Sequence, residues 1–157
     1  MAFIPARPSA QGMDDPDPNN VLAAAEAHSQ DLILLVEDNE TNVVATTDYL
    51  QSCGYHILFA ADGETAVAKT EAVAPSLILM DIQMAGLDGL SAIRQIRASA
   101  KPQIAQIPII ALTALAMPGD RQRCLDAGAN AYFSKPVGLR QLADEIRLQL
   151  TKAQYLT

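Results

Sequence analysis

Residues 77–84 read Leu77-Ile78-Leu79-Met80-Asp81-Ile82-Gln83-Met84, an apolar run that delivers one acid and then breaks into Ala85-Gly86-Leu87-Asp88-Gly89. Four apolar residues without alternation suit a strand buried on both faces, with the Asp81 carboxylate emerging at its carboxyl end. Upstream, Leu32-Ile33-Leu34-Leu35-Val36 is a second such run, and it too ends in acids, Glu37 and Asp38, before Asn39. As neighbouring parallel strands, the two runs bring Glu37, Asp38 and Asp81 to one edge of the sheet. That edge is where open α/β sheets place their ligands.

Such a meeting of acids has an energetic consequence. Two unit charges about 4 Å apart repel by roughly 4 kcal/mol at an effective dielectric near 20, so three carboxylates need a positive partner. Oxygen-only ligands favour a hard divalent ion, of which Mg²⁺, held by a few carboxylates with waters completing the octahedron, is the usual one. Asp38 taken alone would also serve as a helix N-cap. Capping does not account for three acids that each end a buried run.

The chain has 157 residues, half of them apolar, enough for one domain with a real core and too few for two of typical size. Of the formal charge of −7, residues 1–31 supply five acids against Arg7 alone, so the remainder is only weakly acidic. No basic face argues for nucleic acid. Cys53 and Cys124 show no CxxC or Cys/His spacing for zinc, and a reducing compartment suits them. No apolar run reaches the length of a membrane span, and the start lacks the apolar core of a signal peptide. A soluble, cytoplasmic protein is expected.

Residues 1–30 read as a flexible tail, with Pro5, Pro8, Pro16 and Pro18 among aspartates and asparagines; His28 in its alanine-rich end is given no catalytic role. The domain is expected over 31–152, with a short tail at 153–157. After the first strand, Asn39 to Asn42 opens a helix with Val43, Val44, Thr47, Leu50 and Gln51 along its length, stopped by Gly54. Tyr55 to Ala60 reads as a strand, and Asp62 caps a helix through Val73 with Ala66, Val67 and Ala68 inward. Asp88-Gly89 starts a third helix whose Leu90, Ile93, Ile96 and Arg97 form one buried stripe, leaving Arg94 and Lys101 in water. Ile107 to Leu112 is a fourth buried strand ending at Thr113. Pro118-Gly119-Asp120 opens a fourth helix closed by Gly128. Ala131 to Phe133 is a fifth strand ending at Lys135-Pro136, and Leu139, Leu142, Ile146 and Leu150 are the core stripe of a last helix.

Strand and helix thus alternate five times with short connections, and right-handed crossovers require a parallel sheet covered on both faces. The strand ends supply Glu37, Asp38, Asp81, Thr113 and Lys135. A carboxylate such as Asp81 can attack phosphorus and become an acyl phosphate. A metal ion and the Lys135 ammonium can neutralise the oxygens of the transferring group, and Thr113 can donate its hydroxyl to one of them.

Four stretches carry a joint and specific pattern: LILLVEDNETN at 32–42, ILMDIQMAGLDGL at 78–90, PIIALTALAMPGD at 108–120 and AGANAYFSKPV at 127–137. Over about Leu32 to Lys152 the chain resembles the receiver domain of bacterial two-component response regulators. The resemblance implies a flavodoxin-like (βα)5 fold of strand order 2-1-3-4-5. It implies Asp81 as phosphoacceptor, Asp38 as a direct Mg²⁺ ligand, Glu37 as a ligand or an acid acting through water, and the Gln83 backbone carbonyl as a further ligand. Thr113 and Lys135 match the positions that grip the phosphoryl group, with a cis peptide expected before Pro136. Tyr132 matches the switch aromatic, and the output surface, also a possible homodimer surface, would be the fourth helix, fifth strand and fifth helix. Two departures stand out: Ala85 where the family commonly has proline, and Leu115, whose apolar side chain is expected to hinder the water that hydrolyses the phosphoryl group.

The implied function is phosphoryl transfer to Asp81 from a histidine kinase or histidine phosphotransfer protein, followed by a shift between two packings of the domain. The sequence reads as a stand-alone receiver with the style of hybrid-kinase receivers, so service as a phosphorelay shuttle is the alternative. Any enzymatic activity would be Mg²⁺-dependent self-phosphorylation and self-dephosphorylation, and contact with nucleic acid or membrane is not expected. A Mg²⁺-dependent aspartyl phosphatase would need a second aspartate where Gln83 stands. A nucleotide-binding domain would need a glycine-rich turn where Glu37 and Asp38 stand, since acids there repel a pyrophosphate. A pseudo-receiver, serving only as a binding module, usually lacks the acceptor or the lysine; both are present.

Overall fold

The computed structural model describes residues 31–84, 86–114 and 117–156. Five parallel strands, β1 (Leu32–Val36), β2 (His56–Ala60), β3 (Leu77–Asp81), β4 (Ile109–Thr113) and β5 (Ala131–Ser134), form one sheet in the order β2-β1-β3-β4-β5. The helices are α1 (Glu40–Ser52), α2 (Gly63–Val73), α3 (Gly89–Arg97), α4 (Asp120–Ala127) and α5 (Leu139–Leu156). This is the flavodoxin-like α/β fold expected from the sequence.

The unbroken apolar runs bury both faces because side chains alternate across a strand. Leu34, Val36, Ile78, Met80, Ile109 and Ala111 pack under α2, α3 and α4, with Ala66, Ile93, Ile96 and Cys124. Ile33, Leu35, Leu77, Leu79, Ile110 and Leu112 face α1 and α5, where they meet Leu50, Leu142, Ile146 and Leu150. At roughly 1.5–3 kcal/mol for each large side chain removed from water, these two layers dominate the stabilisation of the fold. They also fix the register of β1 on β3, Val36 opposite Met80, so that the next residues outward are Glu37 and Asp81.

Two helix faces differ from the sequence expectation. In α1, Val44 is 59% exposed and Gln51 lies in water, while Leu50 is the buried anchor and Tyr49 is half-buried. In α2, Ala68 faces solvent and Thr70 is buried instead, its hydroxyl donating to the Ala66 carbonyl at 2.7 Å. Both helices are rich in alanine and threonine, so their apolar stripes are weak and tertiary packing decides the inner face. Strand β4 starts at Ile109, two residues later than the apolar run, because Pro102–Ala105 forms a single helical turn that the sequence reading did not anticipate. The last helix continues past Lys152 to Leu156. The expectations placed on residues 1–30, Ala85 and Leu115 lie outside the described residues.

Candidate functional site

The chain steps from β1 to β2 on one side and to β3 on the other, so β1 and β3 part at their carboxyl ends and open a crevice there. Glu37, Asp38 and Asp81 each direct a carboxylate oxygen into it, all within 4.8 Å of one another. Among the described residues this is the group of acids, histidines and cysteines that converges as a metal site would. Asp38 is exposed while Glu37 and Asp81 are buried, so the cluster is closed on the protein side and open to water on the other. The N-cap of α1 is Asn39, whose side chain accepts from the Asn42 N–H at 3.1 Å, so Asp38 is not consumed by capping.

Asp81 is 3% exposed at the end of β3, and its Oδ1 accepts from the Gln83 N–H at 3.0 Å. Its Oδ2 lies 3.3 Å from the Lys135 ammonium, which also donates to Glu37 Oε1 at 2.8 Å. Burial pushes the Asp81 carboxyl up to about 6, against the lowering pull of the Gln83 N–H and of Lys135. Burial alone would lower the pKa of Lys135, but the hydrogen bond to Glu37 and the charge of Asp81 outweigh it and hold the ammonium above its ordinary value. Three ionised carboxylates and one ammonium leave two negative charges in the crevice, the complement of one divalent cation.

Thr113 is buried at the end of β4 and its carbonyl accepts from the Lys135 N–H at 2.7 Å, which sets the start of the Lys135 loop against the site. The Lys135-Pro136 peptide is cis. Tyr132 lies on β5 opposite Ala111, half-buried against the layer under α2 to α4. Glu37, Asp38, Asp81, Gln83, Thr113 and Lys135 thus lie at the carboxyl edge of the sheet, with Tyr132 two residues farther back along β5. Two bonds had no sequence signal: the Asn39 N–H on Glu37 Oε2 at 3.3 Å, and the Gln83 side-chain oxygen on the Ala114 N–H at 3.0 Å. Both depend on loop conformation, which composition does not encode.

A doubly wound sheet with an acidic crevice at its switch point, a lysine reaching across it and a threonine at the next strand end defines a phosphoryl-accepting signalling domain. Residues 33–147 match the response regulator receiver domain family, and the chain belongs to it. It is similar to the polar-differentiation response regulator DivK of Brucella anthropi, 34% identical over 121 residues that cover 77% of this chain and 97% of DivK. Among solved structures it is similar to the receiver domain of a sensor histidine kinase of Pseudomonas aeruginosa. That domain is 42% identical with a TM-score of 0.71, covering 78% of this chain and 98% of that one, and has a magnesium ion coordinated in its active-site cleft. The signal receiver domain of a histidine kinase from Syntrophus aciditrophicus is 31% identical with a TM-score of 0.71, covering 78% and 91% of the two chains. No helix among the described residues is long and apolar enough to cross a membrane.

Proposed function

We propose that Asp81 accepts a phosphoryl group from the phosphohistidine of a histidine kinase or of a histidine phosphotransfer protein. The observation that carries this reading is the position of Asp81, buried at the end of β3 with one oxygen 3.3 Å from Lys135 and within reach of two further acids. In the transfer, an Asp81 carboxylate oxygen forms a bond to phosphorus as the P–N bond of the donor breaks, and the imidazole nitrogen leaves with the electron pair. Lys135 holds a positive charge beside the oxygens of the group in flight, and Thr113 offers its hydroxyl.

The donor set suits Mg²⁺: all oxygen, partly open to water, carrying two negative charges. Glu37, Asp38, Asp81 and the Gln83 backbone carbonyl would hold it. The ion supplies neutralisation of the phosphoryl charge when bound. Its presence in the similar Pseudomonas receiver supports the assignment.

Once modified, the domain shifts its population between two packings, with Thr113 and Tyr132 responding and α4, β5 and α5 forming the partner or dimer surface. Service in a multistep phosphorelay is the second reading, supported by the 42% identity to a kinase-attached receiver. The protein works in the cytoplasm. Incubation with Mg²⁺ and acetyl phosphate is expected to add one acid-stable, base-labile phosphoryl group. An unmodified parent, or equal modification of Asp81→Asn, would reject the assignment.

A further inference from the structure

The loops after β3 and β4, with the first turns of α3 and α4, surround a cavity of about 560 Å³. That is the size of a small-molecule site, for which roughly 300–1,000 Å³ is usual. Among the described residues its apolar lining is Ile82, Leu90, Met117, Pro118 and Cys124. Cys124 is buried, whereas Met117 is 59% exposed, so the apolar surface reaches from the interior to the mouth. A methionine is unbranched and polarisable, moulds to what it meets, and makes favourable sulphur contacts with aromatic rings.

The charged lining is uneven. Asp120 is buried and fully engaged: Oδ2 accepts from the Met117 N–H at 2.9 Å, and Oδ1 accepts from the Arg123 guanidinium. Asp88 is exposed, and its Oδ1 accepts from the Ser91 N–H at 2.8 Å as the N-cap of α3, which leaves its other oxygen facing water. With Arg123 paired to Asp120, the lining keeps one negative charge without a cationic partner, that of Asp88. Gln83 and Thr113 line the cavity too, and beyond them lie the acids of the crevice. An anion would be repelled from both directions. A planar cation is suited to the site, because two N–H groups held in a fork match the geometry of a carboxylate.

We propose that this cavity is a binding site for a small aromatic cation, a flat ring that carries an amidinium or guanidinium group. The ring packs against Leu90, Met117 and Pro118, and the charged head meets Asp88 at the mouth. The site is distinct from the acidic crevice and does not depend on the reading of Asp81 as acceptor.

The test is a titration of the full chain with benzamidine, benzyl alcohol and benzoate, read by methyl NMR at saturating Mg²⁺ so that the crevice acids are not free to take the cation. Benzamidine is expected to shift the methyl signals of Ile82, Leu90 and Met117 saturably, with a Kd in the millimolar range. Benzyl alcohol should bind about two- to fivefold more weakly, the worth of one exposed ion pair, and benzoate should not saturate. Asp88→Asn removes the charge and keeps the helix cap, since asparagine caps as well as aspartate. It should weaken benzamidine by the same about two- to fivefold and leave benzyl alcohol unchanged. Leu90→Phe fills the cavity and should abolish binding of both; if that variant does not fold, the Asp88→Asn comparison decides. Benzoate binding as tightly as benzamidine, an Asp88→Asn variant with parental affinity, or an absence of saturable shifts at the lining methyls would overturn the proposal. So would shifts that centre on Glu37 and Asp38 and disappear with Mg²⁺, which would assign the cation to the crevice.

Discussion

The Lys135 ammonium lies closer to Glu37, at 2.8 Å, than to Asp81, at 3.3 Å. Lysine and glutamate stand at the ends of different strands, β5 and β1, and meet across β3 and β4, so the pair closes the crevice from its two sides. The repulsion among the three acids is thus relieved partly by the protein itself. Lys135→Met removes that charge and leaves the cluster uncompensated. Without divalent ions the variant should lose roughly 1–3 kcal/mol of stability, less than a fully buried pair would forfeit because the crevice is open on one side. Saturating Mg²⁺ should restore part of the loss. Urea unfolding with and without MgCl₂ measures both, and a parental midpoint in metal-free buffer would refute the role given to Lys135.

The raised pKa of Asp81 makes a prediction with a definite sign. Its carboxyl titrates at about 6 in the fold, above the 3.8 of a free aspartate, so the folded state binds this proton more tightly than the unfolded chain. The favourable contribution is complete below about pH 4 and is lost as pH rises through 6. In metal-free buffer at pH 7.5, Asp81→Asn should therefore be the more stable protein, by on the order of 1 kcal/mol after allowance for solvent screening. The difference should vanish near pH 4. A less stable Asp81→Asn at pH 7.5 would contradict the desolvation argument.

The sheet was readable because apolar runs without alternation admit few other structures, and the acids were readable because each ends such a run. Leu77 to Asp81 and Leu32 to Val36 behave as their composition demands. Val44 and Ala68 went the other way: α1 and α2 have too little amphipathic contrast for the local sequence to choose a face. The convergence of Lys135 with the acids at one sheet edge was legible too, but the individual pairings across long separations were not. Nothing near Lys135 points to Glu37, and nothing near Gln83 points to Ala114, since each depends on how the folded layers bring loops together.

Arg97 shows the same limit in structural form. It belongs to the buried stripe of α3, but its charged head is tied to the backbone. Its Nε donates to the Gly128 carbonyl, its Nη1 to the carbonyls of Ala105 and Ile107, and its Nη2 to Asn130 Oδ1, all at 2.7 or 2.8 Å. The same Asn130 oxygen accepts from the Ile109 N–H, so one guanidinium pins α3, the helical turn before β4 and the approach to β5. Arg97→Met strands these acceptors and should cost roughly 2–4 kcal/mol; Arg97→Lys, with fewer donors and no planar fork, should recover only part. The cluster lies at the amino ends of β4 and β5, away from the acidic crevice. Mg²⁺ affinity measured by titration should consequently stay parental in the folded fraction, and a large loss of affinity would show that the two ends of the sheet are coupled.

Gly89 is the first residue of α3 and lies against the end of β3. A Cβ there would fall inside contact distance of the Asp81 carbonyl oxygen and the Ile82 Cα, both backbone atoms that no rotamer change can move. The close approach lets the Gly89 N–H bond to the Ile82 carbonyl, and it seats the Asp88 carboxylate as N-cap on the Ser91 N–H at 2.8 Å. Gly89→Ala must push helix and strand end apart, at a cost of roughly 1–3 kcal/mol. Because the displaced strand end carries Asp81 and leads to Gln83, the metal site should loosen with it, and Mg²⁺ affinity should fall at least severalfold. Unfolding midpoints and Mg²⁺ titration report the two effects separately. An alanine variant with lowered stability but parental affinity would mean that the helix yields and the strand does not, and that the crevice is held by its strands alone.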